Sequence, residues 1–233
     1  MKPTYILGDH HGDYGAVLSI LRERNIRDAT IIHVGDGGEG FPDWRPTTAG
    51  DLNRHFAALG IEYLSIRGNH SDPEFFNGKV MFPNFKLLPD YTALHMNGQS
   101  WLLVGGAISI DRIDRVLERT WWPGEAFQLR EDLAKHADVL VTHSGPSWIG
   151  PGCRNDLVRA CCHAEAQFGC DTLIAELEAE RKAHEKLFRL VQPKTWYLGH
   201  FHERAEMTYL GCRTRILDCN ELILHRAPDQ LPN

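Results

Sequence analysis

Five short apolar runs in this chain each lead to a side chain of the kind that binds metal ions. Tyr5-Ile6-Leu7 leads to Asp9 and His11, and Ile31-Ile32-His33-Val34 to Asp36. Tyr63-Leu64-Ser65-Ile66 precedes Asn69 and His70, Val139-Leu140-Val141 precedes His143, and Trp196-Tyr197-Leu198 precedes His200 and His202. Runs this short, rich in β-branched and aromatic residues and mostly closed by glycine, read as buried strands. In open α/β sheets, ligands gather outside the carboxyl ends of the strands. The five segments are therefore expected to converge on one cluster of carboxylate, imidazole and amide groups. Mixed N and O donors of this kind suit two hard or borderline cations, and the pattern reads as a two-metal hydrolase.

The same residues carry a family likeness. Gly8-Asp9-His10-His11-Gly12, Gly35-Asp36-Gly37-Gly38-Glu39, Gly68-Asn69-His70, Thr142-His143 and Gly199-His200-Phe201-His202 follow one another in that order. The series resembles the calcineurin-like metallophosphoesterase signature, GDxHG, GDxxD, GNH(D/E), a lone His and GHxH, and it extends from Gly8 to His202. The resemblance implies an α/β chain with a two-sheet β-sandwich core flanked by helices. It further implies Asp36 as the carboxylate bridging two metals. Asp9, His11 and His202 would complete one metal's ligands; Asn69, His143 and His200 would complete the other's. His70 takes the family's role of general acid to the leaving oxygen, with Asp72 or Glu39 as the anionic partner that keeps it protonated.

Two departures from the signature matter. The second block reads Gly35-Asp36-Gly37-Gly38-Glu39-Gly40 and lacks the phosphate-binding Arg of the protein-phosphatase branch. The third reads Arg67-Gly68-Asn69-His70-Ser71-Asp72, so its acid does not directly follow the histidine. Arg67, which precedes this block as in the protein phosphatases, and Arg112 are the candidates to hold a substrate phosphate in the missing arginine's place, since the guanidinium fork matches phosphate oxygens. Arg112, Arg115 and Arg119 recur at helical spacing and compete with a plainer reading as a solvated face. Trp121-Trp122 follows as a candidate pocket wall. His10 is expected just behind the ligands, and His33 in the core.

Composition bounds the rest. At 233 residues the chain fits one domain, 1–233, with 144–170 as a candidate lid or insert. A net charge of −6 gives no global attraction to nucleic acid or an anionic membrane. The expected partner is a phosphorylated substrate, with nucleic acid only as such a substrate. No stretch approaches the roughly 18 apolar residues of a membrane helix, and the first strand begins too early for a signal peptide. Six cysteines without a CxxC pair read as reduced thiols, and the cytoplasm is the expected address.

Helices are expected over about 14–24, 51–59 and 171–190, with a hairpin at Asn97-Gly98 and strands at 207–210, 213–217 and 222–224. The function implied by the resemblance is phosphomonoester hydrolysis by metal-bound hydroxide, with manganese the favoured cation and iron or zinc the alternatives. A phosphodiesterase acting on a cyclic nucleotide or an RNA end is the rival. An inactive scaffold of the same fold is a distant third.

Overall fold

Alternate side chains of a strand face opposite sides of its sheet, and in this chain both sides are apolar. In β1 (Thr4–Leu7), β2 (Thr30–His33) and β3 (Glu62–Ser65), Ile6, Ile32 and Leu64 face one way, while Leu7, Ile31 and Tyr63 face the other. Strands that are apolar on both faces must be covered on both. The computed structural model describes residues 2–45 and 47–226; Met1, Pro46 and residues 227–233, including the ends of the expected 1–233 domain, lie outside the described residues.

Two mixed sheets result. The first adds β4 (Phe85–Leu87) to the parallel set β1–β2–β3. The second is built on β5 (Thr92–Met96), β6 (Gln99–Val104), β7 (Val139–Thr142) and β8 (Thr195–Leu198), with β6, β7 and β8 parallel. It continues through β9 (Ala205–Tyr209) and β10 (Cys212–Ile216), in the order β5-β6-β7-β8-β10-β9. β11 (Leu222–Leu224) returns to close the first sheet antiparallel to β1.

Ile6, Ile32 and Leu64 of the first sheet pack with Leu103, Val139, Val141 and Tyr197 of the second, forming the seam between them. The outer face of the first sheet is covered by α1 (Tyr14–Glu23) and α2 (Thr48–Ala58) through Val17, Leu21, Leu52 and Phe56. α4 (Leu173–Val191) covers the second sheet through Leu187, Phe188 and Val191. The two-sheet core flanked by helices expected from the resemblance is the architecture formed. The hairpin sits where expected, with Met96 opposite Gln99 and both turn residues left-handed, Asn97 at φ 53° and Gly98 at φ 78°. No helix among the described residues is long and apolar enough to cross a membrane.

The candidate lid or insert at 144–170 takes a specific form. Its first part is a loop held from beneath by Arg181 of α4, whose Nη1 donates to the carbonyl oxygens of Gly145 (3.2 Å), Pro146 (2.9 Å) and Ile149 (3.1 Å). Its Nη2 donates to Pro151 O at 2.8 Å, and the guanidinium lies 4.3 Å over the Phe201 ring. The second part is α3 (Asp156–Ala166), started by Asn155, whose side chain accepts from Val158 N–H. Arg181 is buried, so its removal strands several carbonyl oxygens together. Arg181→Leu is expected to lower stability by about 2–4 kcal/mol, read as a shift in the urea midpoint. Arg181→Lys should recover only part of this, because an ammonium has no planar fork.

Candidate metal centre

All five motif segments leave their strands at the same edge, where the carboxyl ends of both sheets meet. Asp9 follows β1, Asp36 follows β2, Asn69 follows β3, His143 follows β7 and His200 follows β8. Four of the donors sit on left-handed backbone: His11 (φ 47°), Asp36 (φ 60°), His200 (φ 69°) and His202 (φ 48°). Non-glycine residues rarely adopt this region and hold it only where surrounding structure over-determines them. Gly68 and Gly199 give the room: a Cβ at Gly68 would overlap Asp36 Oδ1, and one at Gly199 would overlap Asp9 Oδ1.

On one side of the cage, Asp9, His11, Asp36 and His202 bring one ligand atom each to within 4.8 Å of the others. His11 Nε2 and His202 Nε2 are 2.9 Å apart, and His202 Nε2 lies 3.4 Å from Asp9 Oδ2. Asp9 Oδ2 also accepts the His200 backbone N–H at 2.9 Å. Its other oxygen, Oδ1, is buried and meets no donor among the described residues. A buried carboxylate oxygen without a partner is costly, and a cation would remove that cost.

On the other side, Asn69 Oδ1 lies 2.8 Å from His200 Nδ1 and 3.1 Å from His143 Nε2. Ser109 Oγ accepts the Asn69 side-chain N–H at 3.2 Å, which turns the amide oxygen toward the two histidines. Asp36 stands between the halves. Its Oδ1 accepts the His70 backbone N–H at 2.7 Å and lies 3.2 Å from His143 Nε2. The donors present therefore fit two cations sharing one carboxylate, whose usual separation is about 3.5–4 Å.

The charges fit the same picture. Burial works against a proton on His143, yet the Asp36 and Asp9 carboxylates hold its pKa up at about 9. Burial would raise Asp36, but His143 wins and keeps it well below the usual carboxylate range. Burial lowers His11 and His200 and leaves them neutral donors, while a hydrogen bond to Asp9 raises His202.

His70 lies on the cage wall, with Phe41 stacked on its ring at 5.5 Å. Among the described residues, no carboxylate makes a hydrogen bond or ion pair with its imidazole nitrogens, the role the sequence reading expected of Asp72 or Glu39. Asp72 instead caps the turn Pro73–Phe76 by accepting Glu74 N–H, and Glu39 accepts from Tyr14 and Ser71. The partner is Arg115, whose Nη2 lies 2.6 Å from His70 Nε2 and whose Nη1 donates to Asn69 O at 3.0 Å. Burial, reinforced by Arg115 and opposed by Asp36, puts the His70 pKa at about 4.

The two arginines expected to hold phosphate are committed elsewhere. Arg67 donates to Asp90 through Nε (3.0 Å) and Nη2 (2.8 Å), and to the carbonyl oxygens of Gly124 and Ala126. Arg112 is gripped by Glu165, at 2.6 Å from Nε, and by Glu176, and it lines a separate cavity beside Trp121. The helix implied by the spacing of Arg112, Arg115 and Arg119 is not formed. Only the turn Arg112–Asp114 is helical, and Arg115 is extended at φ −100°, ψ 160°, so Arg112 and Arg115 diverge. His10 and His33 stack in the core at 4.4 Å and bond Tyr63 and Ser65. Trp122 is buried against Phe41. Of the three arginines named together, Arg115 rather than the favoured Arg112 reaches the site. Cys219 is a residue the sequence reading passed over, its thiol grouped with His11 and His202 within 4.8 Å.

Two cavities meet at His70. One of about 370 Å³ runs from Asp36, Asn69 and His200 toward α3 and α4. The other, of about 300 Å³, is walled by His11, Tyr14, Phe41 and Trp44.

No family model matches the sequence, and no curated protein matches it. Among solved structures, the chain is similar to the phosphopantetheinyl hydrolase from Mycobacterium tuberculosis, with 14% identity, a TM-score of 0.49 and coverage of 100% of this chain and 99% of that one. It is similar to an archaeal phosphodiesterase at 10% identity and TM-score 0.42, covering 93% of this chain and 83% of the other. A candidate 5′-nucleotidase from Staphylococcus aureus matches at 13% identity and TM-score 0.48, over 93% of this chain. The chain spans about half of that protein, 48%.

Cation loading must displace the proton that His143 holds in the metal-free protein at any pH below about 9. Apparent affinity for Mn(II) is therefore expected to rise about tenfold per pH unit between pH 6.5 and 8.5. Calorimetric titration in buffers of different ionisation enthalpy measures the proton released, and His143→Gln should flatten the dependence.

Proposed function

We propose that this chain is a calcineurin-like metallophosphoesterase that hydrolyses phosphoesters with two divalent cations, manganese favoured over iron or zinc. One observation carries the reading: seven N and O donors from five strand ends meet around Asp36, with a buried Asp9 oxygen that has no donor of its own. When bound, such cations lower the pKa of a water and neutralise phosphoryl oxygens. An intact donor set speaks against the inactive-scaffold reading. A phosphorylated substrate as partner and the cytoplasm as address belong to the same proposal.

The chain's own residues then decide which ester fits. Hydrolysis joins a water oxygen to phosphorus and breaks the bond to the leaving oxygen, which must end with a proton or a stable negative charge. Burial, with Arg115, lowers the His70 pKa to about 4 and so disfavours the imidazolium form that would serve as general acid in the free protein. Arg115 beside it offers one guanidinium to phosphate oxygens. The monoester preference expected from the sequence drew on Arg67 or Arg112 for added positive charge, and both are committed elsewhere. A monoester dianion with a poor leaving oxygen asks most of this missing charge and proton; a diester monoanion asks least. The cavities on either side of His70 also match the two arms of a diester. We therefore favour the phosphodiesterase reading, with the monoesterase as its alternative.

Elemental analysis of manganese-loaded protein should find two cations per chain, and Asp36→Asn should weaken both. Turnover of a bis-aryl phosphate should exceed that of the matching aryl monophosphate. Hydrolysis of the monoester alone would hand the reading to the monoesterase, and loaded protein inert on both esters would sink the phosphoesterase proposal. Arg115→Gln removes a cation that depresses His70, so the His70 pKa should rise, read directly by NMR titration of its imidazole protons.

A further inference from the structure

Every charged group along the larger cavity can be assigned a partner or a sign. Arg181 spends its donors on the carbonyl oxygens of the 145–151 loop. Asn155 caps α3 and donates to Gly152 O. Arg115 stays at the mouth, held by Asp111 at 2.7 Å and turned toward His70. Asp111 lies along the wall, and Glu180, buried and accepting the Phe127 N–H, lies behind it. Among the described residues, a second phosphate or a carboxylate would find no uncommitted arginine or lysine here and would meet Asp111.

The remaining wall is mostly apolar, with Ser144, Cys153 and Cys161 set among the hydrocarbon side chains. Ile110, Leu157, Val158, Leu177 and Phe201 surround a volume of about 370 Å³ that opens directly onto Asn69, His70 and His200. Leu157 is 64% exposed on the rim of α3, beside fully covered Leu173 and well-buried Val158 and Leu177. Pockets of this size and lining take small organic groups, with a few polar atoms fixing orientation.

We propose that this cavity binds an uncharged, largely apolar arm of the phosphoester, and that α3 and α4 thereby set substrate choice. The inference rests on the phosphoesterase reading and narrows it to esters with one neutral, chain-like substituent. The opposite groove, walled by Phe41 and Trp44, is left for the other ester substituent.

The test uses the manganese-loaded protein and a series of 4-nitrophenyl alkyl phosphodiesters from methyl to octyl. Burial of each added methylene should raise kcat/KM about fourfold until the cavity is full. Val158→Phe fills the cavity from α3, and Leu157→Asp places a charge at its exposed rim. Both should reduce the octyl-to-methyl ratio within each protein, and Leu157→Asp does so at a position that bears little packing. The expected result is a steep series in the wild type and a flattened one in both variants. A flat wild-type series with measurable turnover of the methyl ester overturns the arm proposal alone. A steep series that survives both variants and falls in Trp44→Ala assigns the chain to the aromatic groove and overturns it too. No turnover of any member beside turnover of the aryl monophosphate hands the reading to the monoesterase and overturns the arm proposal; no turnover of either class removes the phosphoesterase reading itself.

Discussion

The contact on which the rest of this molecule depends is the buried pair formed by Asp36 and His143. They leave the ends of β2 and β7, which belong to different sheets, and meet at 3.2 Å with both side chains fully covered. The other imidazole nitrogen, Nδ1, faces Val34 O at 2.8 Å, so both nitrogens of one ring bind the first sheet to the second. Two sheets packed only through Leu, Val and Ile could slide against each other at small cost. A buried, hydrogen-bonded contact of this kind favours one register, since its bonds to Asp36 and Val34 form at one offset only. The carboxyl edges are thereby brought level, and donors from five segments arrive at one point.

That arrangement is stored as backbone strain. His11, Asp36, His200 and His202 all hold left-handed conformations, each at a cost of order 1–3 kcal/mol. The chain turns sharply at each so that a side chain leaving a strand end points back across the edge. Gly68 and Gly199 let neighbouring carboxylates come close at the same turns. Packing of the seam, through Ile32, Leu64, Val141 and Tyr197, sustains this strain from below.

Much of this was legible in the residues because local chemistry specified it. Strand ends near Leu7, Thr142 and Leu198 followed from apolar runs closed by Gly8, by Thr142-His143 and by Gly199, and Asn97-Gly98 announced its turn. α3 was not recognised, although Asn155 as a cap, Val158 as its buried contact and Gly169 beyond its end were available signals. The arginines misled for a tertiary reason. Arg67 carries no local mark of Asp90, 23 positions away, and Arg112 none of Glu165 or Glu176. Spacing suggested that Arg112 and Arg115 share a face, but the chain straightens after Asp114 and sends them to different partners.

Arg181 gives the wall beside the cage a character of its own. A loop of 145–151 hung on solvent contacts would breathe, and a substrate would have to wait for it to close. Here a single buried guanidinium threads it to α4 at four carbonyl oxygens and rests on the ring of Phe201, next to His200 and His202. The same side chain thus fastens a strand-end histidine loop and the opposite rim to one helix. If the proposed arm enters on this side, it would meet a wall fastened in advance, in the manner of a rigid gauge rather than of a hand that closes around it.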